Sequence, residues 1–353
     1  MLDLSREENA PQIRSVQEGN NDLNLEDLKI MNNFLCKYFP LFRENFELLE
    51  CIDSDITGIT YKGRNLNKKD NQFYSFKFCI EMKTHKKYYN NESREIKYLK
   101  ALNHKNIEKI YQFYKVDSTN FFSVSKLYEY DNLNCFLQKI LKKNILSETF
   151  INYLSKPILE AMNYMHKKKL YHMNITKKNI ALESDLNPIL IDFSSVISFR
   201  NNEPNDLIKF PLIGDRRNLS PELLKGQEIE VKYGDKIDIY SFGVTLYNLA
   251  FGCYPYGLTN KEDEVDTILG KLKNAELDFP SNIKISEYFK NFLRKVLEKD
   301  YLKRYSTKDA LNDHWVKGWD IINEEKENIE ILENFIMILI MNNSPKFNRY
   351  INL

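Results

Sequence analysis

Between residues 46 and 80 short apolar and aromatic runs alternate with polar positions and break at turn residues, as in Phe46-Glu47-Leu48-Leu49 and Phe73-Tyr74-Ser75-Phe76-Lys77-Phe78. A period of two over such lengths predicts β-strands, with Lys68-Lys69-Asp70-Asn71 as the turn of a hairpin. Over 92–102 the period changes: Ile96, Leu99 and Leu102 recur at helical spacing and predict one amphipathic helix. Residues 107–128 return to strand-like alternation, after which helical patterns dominate at 149–166, 238–251 and 286–297. A small strand-rich part carrying one helix, followed by a larger helical part, predicts an α+β fold in two lobes. No internal repeat interrupts that order.

The ends differ from the middle. Residues 1–30 carry Asp3, Glu7, Glu8, Glu18, Asp22, Glu26 and Asp27 against Arg6, Arg14 and Lys29, the signature of a solvated or docked extension. Near the other end Ile329, Leu332, Phe335, Ile336, Leu339 and Ile340 form an apolar helical stripe. The expected organisation is an acidic extension at 1–44, an N-lobe at 45–128, a C-lobe at 129–320 and a helical extension at 321–353.

Composition narrows the function classes. Over 353 residues, 51 basic side chains meet 50 acidic ones, and no long segment is strongly basic, which argues against a general nucleic-acid binder. Cys36, Cys51, Cys79, Cys135 and Cys253 are odd in number and widely spread, so neither a disulfide framework nor a cysteine zinc site is expected. The first residues form no secretory leader, and Met1 is not followed by glycine. The longest apolar run, 335–341, is far short of the ~18–20 residues that span a bilayer. A soluble cytoplasmic chain without membrane insertion is the expectation.

The candidate chemistry lies in a series of motifs. His172-Met173-Asn174-Ile175-Thr176-Lys177-Lys178-Asn179 precedes Ile191-Asp192-Phe193-Ser194, with Asp192 thirteen residues after Asn179. Ser220-Pro221-Glu222 and Asp238-Ile239-Tyr240-Ser241-Phe242-Gly243 follow. Upstream stand Tyr74-Ser75-Phe76-Lys77, then Glu95, then Leu102-Asn103-His104-Lys105-Asn106-Ile107. In order and spacing these resemble the strand lysine, helix glutamate, catalytic loop, D-F-G, A-P-E and D-x-W-S-x-G motifs of protein kinases, over roughly residues 45–320. The nearest branch is the calcium/calmodulin-dependent and calcium-dependent one, through Ser286-Glu287, Leu297-Glu298-Lys299-Asp300, Arg304-Tyr305-Ser306 and Asp313-His314-Trp315-Val316. That branch carries EF-hands behind its kinase domain, and none is expected within these residues. The look-alike Asp53-Ser54-Asp55-Ile56-Thr57-Gly58 has Arg64 where the bidentate glutamate of a calcium loop must stand.

The resemblance implies a bilobal fold with a β-rich N-lobe and a helical C-lobe. It places ATP contacts at Lys77, Glu95, Ser125, Lys126, Leu127 and Ala181, magnesium ligands at Asn179 and Asp192, and an internal column at His172, Phe193, Leu99, Ile110 and Asp238. It also implies a buried ion pair between Glu222 and Arg304. Taken singly, a Lys-Glu pair serves packing as well as chemistry, and an aspartate after Ile-Leu-Ile is an ordinary strand-end cap. The surrounding motifs favour the functional alternative.

The departures from the family matter most for activity. Asn174 replaces the aspartate that accepts the substrate proton, and general-base assistance is worth ~10²- to 10⁴-fold in rate. Thr176 replaces the catalytic-loop lysine, so no intact catalytic pair remains. The phosphate loop keeps only Gly58 and gains Asp53 and Asp55. Thr60 and Ser75 make the adenine roof more polar, and Ala181 replaces a larger floor residue. Asp215 stands where a threonine is usual, and Met173 replaces the arginine that would receive an activation-loop phosphate. Between Asp192 and Glu222 there are serines but no threonine or tyrosine.

The expected function is therefore a pseudokinase, a kinase-shaped scaffold or allosteric regulator with lost or trace phosphotransfer. The alternatives are a weakly active serine/threonine kinase and a nucleotide-binding switch without catalysis. Protein partners are expected, among them an active kinase or a calmodulin-like protein through the C-terminal stripe. Glu325, Glu327, Glu330 and Glu333 make that stripe acidic, unlike the basic targets of calmodulin, so docking on its own domain is the competing expectation.

Overall fold

The computed structural model describes residues 42–55, 58–68, 72–79, 94–115, 121–128, 130–141, 145–212, 214–260 and 263–322. The acidic extension, hairpin positions 69–71 and the stripe at 329–340 lie outside the described residues. The chain separates into two compact units, one holding residues up to Ala101 with Glu108–Leu127, the other holding Leu102–Ile107 and the residues from Tyr128 onward.

The first unit begins with a short helix α1 (Phe42–Asn45) and continues through β1 (Phe46–Asp55), β2 (Gly58–Asn65), β3 (Phe73–Cys79), helix α2 (Arg94–Ala101), β4 (Ile110–Lys115) and β5 (Phe121–Lys126). The strands form one antiparallel sheet in the order β1-β2-β3-β5-β4. Period-two alternation puts Tyr74, Phe76 and Phe78 of β3 on the buried side. There they meet Phe42, Phe46 and Phe122 in an aromatic core, with Phe46 and Phe76 packed edge to face at 5.3 Å. Directly opposed residues of antiparallel strands share a face. The other face of the sheet therefore aligns Thr60, Lys77 and Ser123 in one row and Lys62, Ser75 and Ser125 in the next.

The second unit is mainly helical. Leu133–Cys135 forms the short helix α3, which runs into a wider turn at Phe136–Leu141. Helix α4 (Glu148–His166) starts at Ser147, whose hydroxyl accepts from the Phe150 amide at 3.3 Å. Three two-stranded ladders follow: β6 (Leu170–Tyr171) with β9 (Ile197–Ser198), β7 (Ile180–Leu182) with β8 (Pro188–Leu190), and β10 (Leu207–Lys209) with β11 (Glu228–Glu230). Helix α5 (Pro221–Leu224) precedes β11. Then come α6 (Asp235–Phe251), α7 (Val265–Asn274), α8 (Glu287–Val296), α9 (Thr307–Asn312) and α10 (His314–Ile322). No helix among the described residues is long and apolar enough to cross a membrane.

Residues 102–107 group with the second unit. Their backbone belongs to the second unit: the Leu190 amide donates to Asn106 O at 2.9 Å, and the Asn106 amide group donates to Pro188 O at 2.8 Å. A buried polar side chain must find partners, and those available to Asn106 are on the loop before β8 and on β8 itself.

Helix α6 is buried from Lys236 to Phe251, so it acts as the central pillar of this unit rather than as an amphipathic surface helix. Gly243 permits its close approach to α8: a Cβ there would stand 2.8 Å from Val296 Cγ2 and 3.0 Å from Leu297 Cγ. Arg304 locks the same region. Its guanidinium donates to both Glu222 oxygens at 2.7 and 2.9 Å, and to Glu298 O, Lys236 O and Lys299 O. All five N-H groups are thereby satisfied, and neither side chain of the pair is more than 2% exposed.

Gly243→Ala is expected to lower the unfolding free energy by ~1–3 kcal/mol in urea titrations, because the added methyl overpacks the α6–α8 contact. Arg304→Met is expected to cost ~3–5 kcal/mol, since it strands the Glu222 carboxylate in the interior. In a double-mutant cycle, Glu222→Gln combined with Arg304→Met should cost less than the two single changes added together.

Candidate functional site

In the first unit, Lys77 extends from the polar side of β3, and its Nζ lies 3.2 and 3.4 Å from the two oxygens of Glu95 on α2. The pair is largely sheltered, with 17% and 11% side-chain exposure. Helix α2 delivers Glu95 because Glu95, Ile96, Tyr98 and Leu99 share its buried face while Lys97 and Lys100 stay outside. Ser125 is buried on the same sheet side, and Lys126 and Leu127 are half-buried where β5 ends. Asp53 and Asp55 lie in β1 opposite Thr60 and Gly58. Leu99 is buried, whereas Ile110 is only half-buried.

In the second unit, a polar stripe on α6 organises the loop that contains Asn174. Asp238, Ser241 and Thr245 recur at helical spacing on an otherwise apolar helix. The Asp238 carboxylate accepts from the His172 and Met173 amides at 2.7 and 2.8 Å and lies 2.8 Å from His166 Nε2. Burial pushes the Asp238 carboxyl upward, but the His166 bond and the nearby imidazoles outweigh it and hold the group below the usual range. Ser241 donates to Asn218 O at 2.9 Å, and Thr245 to Ile175 O at 2.8 Å. His172 is fully buried, packs edge to face on Phe193, and has Nε2 3.2 Å from Ile191 O. Burial pushes its imidazole pKa down, so the neutral ring is favoured there.

The β7–β8 ladder brings Asn179 and Asp192 together. Ile180 pairs with Leu190 and the Ile191 amide donates to Asn179 O at 3.0 Å, which leaves the two side chains at the open end of the ladder. Asn179 Nδ2 donates to Asn174 O at 2.9 Å, and Asp192 accepts from Ser194 Oγ at 2.8 Å. Asp192 has φ +60° and Met173 φ +65°, conformations that a non-glycine residue keeps only when its surroundings impose them. Asn174 is half-buried, its Oδ1 2.9 Å from the point where a Cβ on Gly214 would be. Thr176 O accepts the Asn179 amide at 2.9 Å and closes the turn. Ala181 is buried in β7, bridged to Asn132.

Several features that shape this region were missed in the sequence. Asp215 is not an open carboxylate: Arg217 grips it at 2.6–3.2 Å, lies 4.1 Å over the Tyr254 ring and donates to Thr259 O. Between Asp192 and Glu222 the backbone is tied down by the β10–β11 ladder, with Ile208 opposite Ile229 and the Val231 amide donating to Asp206 O at 3.0 Å. His166 joins Asp238 to Thr307, its Nδ1 lying 2.7 Å from Thr307 Oγ1. Arg217 in the tract Gly214-Asp215-Arg216-Arg217 could have been noticed as a neighbour of Asp215, but its aromatic partner lies 37 positions away, beyond the reach of local pattern.

The first unit holds the Lys77–Glu95 pair, and the second, taken by itself, holds Asn179 and Asp192 at one end of the β7–β8 ladder. Among the described residues no three His, Cys, Asp or Glu side chains gather as a metal cluster. Cys51, Cys135 and Cys253 are not in disulfides.

These arrangements agree with comparison to known proteins. The protein kinase domain profile matches residues 56–316. The chain is 30% identical over 244 residues to calcium-dependent protein kinase 4 of Plasmodium berghei, covering 67% of this chain and 42% of that protein. It is 30% identical over 331 residues to calcium-dependent protein kinase 5 of the same organism, covering 90% and 55%. With the cell cycle serine/threonine-protein kinase CDC5/MSD2 of Saccharomyces cerevisiae the identity is 26% over 224 residues, covering 64% and 30%. The chain thus spans about half or less of the length of these relatives. A β-sheet unit bearing a lysine–glutamate pair, a helical unit whose central helix anchors the loop at 172–179, and a profile match over most of the sequence lead to one conclusion: the chain belongs to the protein kinase family.

Proposed function

We propose that the chain is a pseudokinase, a kinase-fold scaffold or allosteric regulator in which phosphotransfer is lost or reduced to a trace. The observation that carries this reading is Asn174. The loop around it is held by hydrogen bonds to Asp238 and Thr245, and the sequence offers a neutral amide at the base position. An amide does not take up a proton at neutral pH, and Thr176 removes the cation that would steady the transferred phosphate. The polar row Thr60, Lys77 and Ser123, beside Lys62, Ser75 and Ser125, supports it further, because an adenine ring is held by apolar walls.

Protein kinases use ATP and magnesium generally; in the first unit Lys77 with Glu95 would suit phosphate oxygens, and in the second Asn179 and Asp192 would suit a metal ion. Bound ATP supplies a γ-phosphoryl group, and magnesium neutralises its charge. Lys77 keeps its cation oriented through Glu95, and Asn179 fixes its own amide by donating to Asn174 O. These retained groups support one alternative, a nucleotide-binding switch. A regulatory partner, an intracellular setting and the four-part division at 44, 128 and 320 belong to the same reading.

Incubation of the full chain with labelled ATP and Mg²⁺ or Mn²⁺ is expected to give no phosphotransfer that depends on Lys77. Transfer present in the wild type and abolished by Lys77→Met would sink the pseudokinase reading. A thermal-shift series with ATP, with and without metal, separates the alternatives: a rise in Tm lost in Lys77→Met marks a switch, since a ligand selective for the folded state must stabilise it.

A further inference from the structure

The sheet of the first unit has an aromatic face that its described residues cover only in part. Tyr61, Phe76 and Val124 form one row across β2, β3 and β5, and Ile59, Phe78, Phe122 and Tyr114 form the next, which reaches β4. Tyr61, Phe76, Phe78 and Phe122 are nevertheless no more than 1% exposed. Helix α2 is not their cover, because it lies on the opposite side of the sheet. There Glu95 meets Lys77, and Lys100 Nζ stands 5.3 Å from the centroid of the Phe113 ring, which shares a row with Lys77 and Ser123. Among the described residues the one member of the aromatic cluster outside the strands is Phe42, whose ring lies 5.5–6.2 Å from those of Phe46, Phe76, Phe78 and Phe122.

Dimensions show how much cover is still required. Five strands set ~4.8 Å apart span about 19 Å, whereas the four-residue α1 is about 6 Å long. Apolar faces of that extent are rarely left to water. Phe42 is seated on the face, so the residues just before it are tethered where the cover is needed. In that tract Leu28, Met31, Leu35 and Tyr38 recur at helical spacing with Phe34 beside them, while Lys29, Asn33 and Lys37 fall on the other side. A helix over 28–38 would be about 16 Å long, close to the width of the sheet, and Pro40 would end it before α1. The tract 80–93, which follows β3, breaks any such stripe with Lys83, His85, Lys86 and Lys87.

We propose that residues 28–41 form a strap that docks the side bearing Leu28, Met31, Phe34, Leu35 and Tyr38 on the aromatic face of this sheet, with Phe42 as its last anchor. The end of the extension then belongs to the β-sheet unit, and the solvated part is confined to the acidic tract before residue 28. Strand β3 carries Lys77 on its other face, so the strap is placed to bias that side chain through packing alone, whatever the fate of phosphotransfer.

The test is site-specific photocrosslinking in the full chain. p-Benzoylphenylalanine replaces Phe34, Tyr38 or, as an outward control, Lys37, and the crosslinked peptides are mapped by mass spectrometry. Probes at positions 34 and 38 are expected to reach residues 58–65, 73–79 or 121–126 of the same chain, and the probe at 37 is not. Hydrogen exchange supplies a second readout: Leu35→Asp is expected to speed amide exchange in β3 and β5 by about tenfold or more with α6 unchanged, whereas Lys37→Asp changes neither. Should Leu35→Asp fail to fold, the crosslinks decide alone. The proposal is overturned if positions 34 and 38 give no crosslinks to the sheet, or if a folded Leu35→Asp exchanges like wild type. Crosslinks joining two chains would assign the face to a second copy, and sheet crosslinks from probes at Leu332 and Phe335 would assign it to the C-terminal stripe; either result also overturns it.

Discussion

A carboxylate with no exposure to solvent sits on the central helix of the second unit, and the loop at 172–179 takes its shape from it. Asp238 must be fully partnered to remain in the interior, and it finds the His172 and Met173 amides and the His166 ring. Those bonds impose the positive φ of Met173, which would otherwise relax. Two turns along α6, Thr245 holds Ile175 O, and between them Ser241 holds Asn218 O, so one helix face fixes both the loop and the approach to α5. The start of the loop at 172–179 is displayed on a frame set by these three side chains.

The side chain at position 174 stands apart from that frame. Asn174 makes no contribution to the Asp238 network, and the bond that involves it most directly uses its backbone carbonyl, as acceptor for Asn179. Exchanging a carboxylate for an amide at that position therefore costs the scaffold little. Arg304 and Glu222 are the opposite case. Each is buried with the other as its charge partner, and loss of either leaves a desolvated ion, so the pair persists for reasons of stability alone. Lys77 and Glu95 lie between these extremes: sheltered, mutually oriented, and in contact with a polar sheet face that offers little apolar wall.

The parts of the fold that sequence made legible are those with a strong period. Tyr74, Phe76 and Phe78 alternating with Ser75 and Lys77 define β3 and both of its faces. The largely apolar helical pattern at 238–251 defines a helix, and structure extends it back to Asp235. Motif spacing singled out Asn179 and Asp192, and the β7–β8 register sets both at one end of the same ladder. Three-dimensional partnerships across long separations had no such trace. Residues 102–107 follow a helix of the first unit and still belong to the second, where the Asn106 side-chain nitrogen donates to Asn187 on the loop before β8 and to Pro188 O on β8. Asp215 reads as an extra negative charge until Arg217 and Tyr254 are placed around it, and formal charge along a chain cannot show which charges are already paired.

The same pairing logic bears on how the stretch from Asp192 to Glu222 keeps its shape. Met173 is 1% exposed and apolar, so it offers no cation to an added phosphate, and the stretch has no threonine or tyrosine to carry one. Order comes instead from backbone pairing with residues just beyond Glu222. β10 pairs with β11 across three residues, Ile229 is buried beneath the pairing, and Lys232 N and Val231 N extend the ladder to Pro204 O and Asp206 O. At the far end, Asp215 caps the turn at 216–218 by accepting from the Arg217 amide at 2.9 Å while Arg217 folds back onto its carboxylate. A segment tied at both ends by neutral hydrogen bonds and one internal ion pair does not need a modification to become ordered. Its conformation should therefore respond to changes in packing at Ile208, Ile229 and Tyr254 far more than to the charge state of its serines.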